Sequence, residues 1–205
     1  MVGDIEAMNL KLSSRRPSAL AFAVACCVLS TESLAIGQKK FLIFGDKNVT
    51  YRTFKDASGR FELEYPTKDW SPFPTGGSAI AILARNDRTA TVVIDLAHLT
   101  EPLAPSEIAT NAQIEADSLK EQQPTAKDIK SEILDTKAGR ASLIRYARTG
   151  ANGPERVMHY SVAVGHDLYR LDAVVQEPAL AKLEPIIMHM ILSFKVPAGP
   201  ASSKN

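Results

Sequence analysis

Cysteine is nearly missing from this 205-residue chain, and its two copies, Cys26 and Cys27, stand side by side near the N-terminus. The remaining residues can build no disulfide framework and offer no thiol chemistry, so their fold must rest on its core alone. Charge of one sign is also missing. There are 24 Lys+Arg against 23 Asp+Glu, a formal net charge of +1, with no long run of either. Nothing marks a nucleic-acid surface or a polybasic membrane patch, and no nucleic-acid partner is expected. Long apolar runs are absent as well. The longest, in "PSALAFAVACCVL" (17–29), has about 13 residues, short of the ~20 that a membrane-spanning helix needs.

Catalytic motifs are equally scarce. Neither G-x-x-x-x-G-K-[ST] nor G-x-G-x-x-G occurs, which removes the common phosphate-binding loops. "TGGSAIA" (75–81) holds Gly76 and Ser78 but no second glycine. Its serine opens a strand instead of standing between strand and helix, so it is no nucleophile elbow. The four histidines, His98, His159, His166 and His189, stand in no H-x-H, H-x-x-x-H or H-E-x-x-H spacing, and a preformed zinc site has no local support. His166 falls in a turn and His189 off the apolar stripe of the last helix, so both are expected to be exposed. His98 ends a strand at opposite parity to Asp95. The chain reads as a protein without catalytic residues, resident metal or cofactor.

What is present begins with a leader. Lys11, Arg15 and Arg16 precede the apolar run, and "STESLA" follows it with Ser33 and Ala35 at the −3 and −1 positions. These are the three parts of a secretory signal peptide. Cleavage is expected between Ala35 and Ile36, giving a mature chain without a transmembrane anchor in the periplasm or secreted. "AVAC" (23–26) offers a second reading, a lipobox with Cys26 acylated. Leucine is missing at its −3 position and only nine residues separate Arg16 from Cys26, so cleavage at Ala35 is the favoured reading.

From residue 49 the apolar pattern has period two. "VTYRTF" (49–54) and "RFELEYP" (60–66) flank the turn-rich "KDASG" and predict a β-hairpin. The Pro- and Gly-rich stretch 67–77 predicts a loop, with Trp70, the only tryptophan, plugging a sheet edge. "SAIAILA" (78–84) and "TATVVIDLAHL" (89–99) predict a second hairpin about "RNDR". Ile108, Ala112, Ala116 and Leu119 then lie on one helical stripe over 106–123, with Ser106 as N-cap and Pro124 as terminator. Four strands follow at 127–136, 140–148, 156–164 and 168–176. The final helix, 178–194, carries Leu180, Leu183, Ile187, Met190, Ile191 and Phe194 on one stripe, with Pro185 at a first-turn break or a kink. The order ββββαββββα suggests the α+β class, an antiparallel sheet with helices packed on it. The organisation expected is a signal peptide (1–35), a linker (36–48), one domain (49–196) and a disordered tail (197–205).

Two stretches carry a resemblance. "SGRFELEYPTKDW" (58–70) is similar to the opening hairpin of PsbP-type domains, where alternating apolar residues lead to Tyr-Pro and then Trp. "ERVMHYSVAVGHDLYRLDAVVQEPALAKLEPIIMHMILSFKV" (155–196) resembles their ending, a hairpin with a Leu-Tyr return and a helix closing on Ser-Phe. Over 49–196 the chain resembles the PsbP/Mog-like superfamily, which includes exported bacterial DcrB-like members. The resemblance implies an α/β/α sandwich and a non-catalytic role, with another envelope protein as partner. A small-ligand or metal-binding carrier or sensor is an alternative, and a photosystem II-associated extrinsic protein another if the host is photosynthetic. No functional residue carries over, and the long basic N-terminal region of plant PsbP has no counterpart here.

One constellation remains. A two-residue turn at Gly165-His166 pairs Val164 with Asp167 and places Ser161 opposite Arg170 and His159 opposite Asp172, all four on one face. The plainer reading is a cross-strand ion pair beside a Ser–Arg hydrogen bond on a half-covered sheet. The functional reading is a polar groove for an acidic or hydrogen-bonding ligand, anchored by Arg170 and oriented by Asp172. A one-residue shift of the turn would pair Ser161 with Asp172 and separate His159 from it.

Overall fold

Alternating apolar residues at 60–66 and 90–94 need a covering layer, and the apolar stripes of two helices supply it. The structure, a computed structural model, describes residues 48–197. The leader, the Ala35–Ile36 cleavage site, Cys26, nearly all of the linker and residues 198–205 of the tail lie outside the described residues.

Five strands precede the first helix: β1 (Tyr51–Lys55), β2 (Glu62–Pro66), β3 (Trp70–Phe73), β4 (Ala79–Arg85) and β5 (Ala90–His98). Helix α1 (Ile108–Gln122) follows, then β6 (Lys127–Thr136), β7 (Gly139–Gly150), β8 (Gly153–Val164) and β9 (Asp167–Gln176). A 3-10 turn (Glu177–Ala179) leads into α2 (Leu180–Ser193). The expected order is therefore corrected by one strand, and it is not one sheet but two. β1 and β2 pair only with each other; the other seven form an antiparallel sheet in the order β3-β4-β5-β9-β8-β7-β6.

The extra strand lies inside the stretch expected to be loop. Asp69, at φ +64, turns the chain, and Trp70 then pairs with Arg85 and is only 3% exposed. Pro72 cannot donate to a ladder, which is tolerated on an edge strand, where one side has no neighbour. Turn-forming composition hid the strand because an edge needs so few hydrogen bonds.

Strand parity divides the sheet into two faces. Val92 and Ile94 of β5, Tyr160 and Val162 of β8, and Leu171 and Ala173 of β9 join the large core with the α2 residues Leu183, Ile187 and Met190. Phe61 and Phe194 stack at 5.5 Å, with Tyr169 5.4 Å from Phe194, and fasten β2 and the α2 terminus over this face. Tyr160 lies in the same cluster, its hydroxyl 2.9 Å from Thr136 Oγ1; burial pushes its pKa up to about 12. On the opposite parity, Ile144, Tyr146 and Val157 meet Ala116 of α1 in a smaller core. Pro185 is carried within α2 without ending it.

Two local expectations change. Glu107, not Ser106, stands at the α1 N-cap, and the Glu107 carboxylate accepts the Ala104 N–H at 2.8 Å. His189 is half-buried instead of exposed: it stacks on Tyr51 at 3.8 Å and its Nε2 lies 2.8 Å from Glu64 Oε2. These contacts tie α2 to the β1–β2 hairpin.

The turn of that hairpin is fixed by Asp56. Its Oδ2 accepts from Arg60 Nε at 2.7 Å and from the backbone N–H groups of Ser58 and Arg60, and its Oδ1 accepts from Arg60 Nη2 at 2.8 Å. The bonded Arg60 guanidinium holds the Asp56 carboxyl below the usual carboxylate range, against the opposing effect of burial. A lowered folded pKa contributes stability above the unfolded value, near 3.8, that is lost as pH falls through the folded one. Asp56→Ala is expected to cost about 2 kcal/mol at neutral pH, allowing for a partly exposed Arg60. Calorimetry should show the difference in Tm from wild type shrinking below about pH 4.

Candidate functional site

The Gly165-His166 turn forms in the expected register. Val164 pairs with Asp167, Ser161 with Arg170 and His159 with Asp172, and Gly165 takes φ +61, a value glycine adopts without strain. The four predicted site residues therefore lie on one face, opposite α2. α1 packs on that face over β6 and β7, held close by the small residues Ala112 and Ala116, which are fully buried. Its packing is chiefly on those two strands and much less on β5 and β9. The face is thus half covered, and between its open part and α1 runs a cleft of about 480 Å³.

The floor of the cleft includes His159, Arg170 and Asp172, with Asp95 from β5; Glu115 and Ile114 of α1 form part of its wall. His159 Nδ1 lies 2.5 Å from Asp172 Oδ1, and its Nε2 lies 3.1 Å from Ser161 Oγ. The Ser161 hydroxyl in turn donates to Glu115 Oε2 at 3.5 Å. The chain of bonds is complete when His159 is an imidazolium: both ring nitrogens donate, and Ser161 accepts one and passes on its own proton. Burial alone would depress the imidazolium. The hydrogen bond and charge of Asp172, with the charge of Glu115, outweigh burial and nearby Arg170, and hold His159 above its ordinary pKa.

The expected Ser161–Arg170 hydrogen bond is absent, because Ser161 turns to His159 and Glu115. The Arg170 side chain makes no ion pair or hydrogen bond among the described residues, and its Nε is buried without a partner. Sequence pairing placed the guanidinium beside the right neighbours. It could not show Glu115, which α1 brings from 46 residues away in sequence to compete for the serine.

Ser161, His159 and Asp172 have the bond order of a hydrolytic triad, but the surroundings oppose that chemistry. Ser161 is 4% exposed in a central strand, and its backbone lies between the ladders to Ser142 and Arg170. An oxyanion formed there would meet the Glu115 carboxylate instead of a pair of free N–H donors. Among the described residues, no group of three or more His, Cys, Asp or Glu side chains is placed to hold a metal ion. His98 turns to Asp167, 3.2 Å away, not to Asp95. A second cleft, about 410 Å³, is lined by Trp70, Arg85 and Lys182. Its arginine is already paired with Asp87 at 3.0 Å and Asp69 at 3.8 Å, which makes it the poorer candidate.

No protein-family model matches the sequence, and no curated protein matches it. Solved structures do share its fold. The solution structure of cyanobacterial PsbP (CyanoP) from Synechocystis sp. PCC 6803 is similar with a TM-score of 0.56 at 12% identity, covering 74% of this chain and 95% of that one. LpqN of Mycobacterium tuberculosis, involved in cell envelope biogenesis, is similar with a TM-score of 0.54 at 15% identity, covering 74% of this chain and 92% of its own. The chain has the PsbP-type fold, as the resemblance in its sequence implied.

The raised His159 pKa has a testable sign. Its contribution to stability is fully present below the unfolded value of 6.5 and is lost as pH rises through the folded one. The Tm difference between wild type and His159→Gln should therefore be largest at acid pH and close towards pH 9. Asp172→Asn should bring the His159 titration, followed by NMR, to 6.5 or lower, and cost about 1 kcal/mol at pH 6 after solvent screening of Asp172.

Proposed function

We propose that the chain is an exported, non-catalytic binding protein of the bacterial envelope, and that it binds through the cleft between α1 and the β5–β9 side of the sheet. The observation that carries this reading is Arg170. Its guanidinium lines the cleft and makes no ion pair or side-chain hydrogen bond among the described residues, with Nε shielded from water and unpartnered. A bound acidic group supplies the missing counter-charge, and the outer nitrogens of a guanidinium suit a carboxylate or phosphate in two-point contact. The cleft volume of about 480 Å³ falls within the usual range for small-molecule sites. Beside Arg170, the bonds of His159 to Asp172 and Ser161 tie the floor of the cleft together.

Export and a periplasmic or secreted location are supported by the leader pattern over residues 1–35, with cleavage between Ala35 and Ile36. No helix among the described residues is long and apolar enough to cross a membrane. A protein partner is the second reading, favoured by Ile114, a large apolar side chain 58% exposed on the cleft wall. An envelope protein presenting an acidic segment would use the same arginine.

Thermal melting against a panel of carboxylates, phosphates, amino acids and dipeptides tests the cleft. At least one compound should raise Tm by several degrees in wild type and not in Arg170→Gln. An equal rise in both, or none in either, removes the ligand reading. Capture from envelope extract then decides the protein-partner reading: a stoichiometric protein retained by wild type and lost with Arg170→Gln supports it, and retention by both refutes it. N-terminal sequencing of the envelope-fraction protein should begin at Ile36; a chain recovered from the cytosol with residues 1–35 attached overturns export.

A further inference from the structure

The cleft does not carry one sign of charge. Asp172 is matched by His159, its hydrogen-bonded partner at 2.5 Å. Arg170 and Asp95 then remain on its lining without an ion pair among the described residues, and Glu115 has only a long one, to His159. Asp95 accepts a hydrogen bond from Ser78 Oγ at 3.0 Å and makes no ion pair among the described residues. Glu115 stands 3.9 Å from His159 Nε2, beyond hydrogen-bond length, and takes the Ser161 hydroxyl at 3.5 Å. Asp95 and Arg170 are directly opposed on β5 and β9. Such neighbours have Cβ atoms ~5 Å apart, yet these two side chains do not join.

We infer that the ligand of this cleft is a zwitterion, an amino acid or short peptide, whose carboxylate is held by Arg170 and whose ammonium is held by Asp95 and Glu115. The inference rests on the reading of the cleft as a ligand site and specifies what enters it. A simple anion satisfies Arg170 but meets three carboxylates, one more than the cations present even with His159 charged. A simple cation satisfies the carboxylates but leaves the charge of Arg170, which has no ion pair among the described residues, without a counter-ion. A molecule with both charges a few ångströms apart answers both demands at once. Its side chain has apolar wall to lie against in Ile114, Leu119 and Ile144, which line the same cleft.

Calorimetric titration of the purified protein with the twenty amino acids and a set of dipeptides provides the test. Each compound that binds is compared with its N-acetyl derivative, which lacks the ammonium, and its carboxamide, which lacks the carboxylate. At least one zwitterion should bind, and both derivatives should bind at least about tenfold more weakly, the equivalent of ~1.4 kcal/mol. Arg170→Gln should erase the difference between the zwitterion and its carboxamide, and Asp95→Asn the difference between the zwitterion and its N-acetyl form. Circular dichroism and Tm confirm that both variants fold, with Arg170→Lys as the charge-preserving control. If succinate or inorganic phosphate binds more tightly than every zwitterion, and does so through Arg170, the zwitterion is excluded while the ligand site stands. If no compound of any class binds, both readings fall.

Discussion

The register of β8 against β9 is the constraint on which the rest of this structure depends. Both strands are central, and each places alternate residues on opposite faces. Tyr160, Val162, Tyr169 and Leu171 go to the core beneath α2, and His159, Ser161, Arg170 and Asp172 to the face beneath α1. A slip of one residue in either strand would send a charged set into the aromatic core and a large apolar set into the cleft. The penalty for burying those charges without partners is several kcal/mol each. Core and cleft are therefore two consequences of one pairing.

Charge pairing explains why one cleft and not the other is a candidate. Arg85 and Arg170 both project a guanidinium from the sheet, and in both the Nε is buried without a partner. Arg85 has Asp87 and Asp69 within reach, so its charge is answered inside the chain. Arg170 has carboxylates on either side, but one is bonded to His159 and another to a serine hydroxyl. None of them forms an ion pair with its guanidinium among the described residues.

Much of this was legible in the sequence, and the pattern of what was not is instructive. Period-two alternation located the strands β4 to β9 because each buries residues of one face in a core cluster, and the Gly165-His166 turn set the pairing of the four polar residues. The helical stripes were equally plain, since Leu183, Ile187 and Met190 are fully buried. β3 was missed because Pro72 and the Asp69 turn look like loop chemistry, while its one strong strand residue, Trp70, is equally at home as a plug. His189 was misread because helical periodicity places a residue relative to its own helix. It cannot show that Tyr51 and Glu64 arrive from the other end of the chain. Glu115 escaped notice for the same reason: its position on α1 is visible, but its position over Ser161 depends on how α1 crosses the sheet.

The aromatic fastening at the end of α2 is followed by a short backbone bridge: Glu62 and Lys195 exchange hydrogen bonds of 2.9 Å in both directions. The first hairpin is thus finished by almost the last described residues. Contacts of such long sequence separation form slowly, because most of the chain must be ordered before they are gained. A chain delivered from its N-terminus onward therefore cannot close this clasp until the C-terminal segment has arrived. Until then β1 and β2 have neither the bridge nor α2 to cover them.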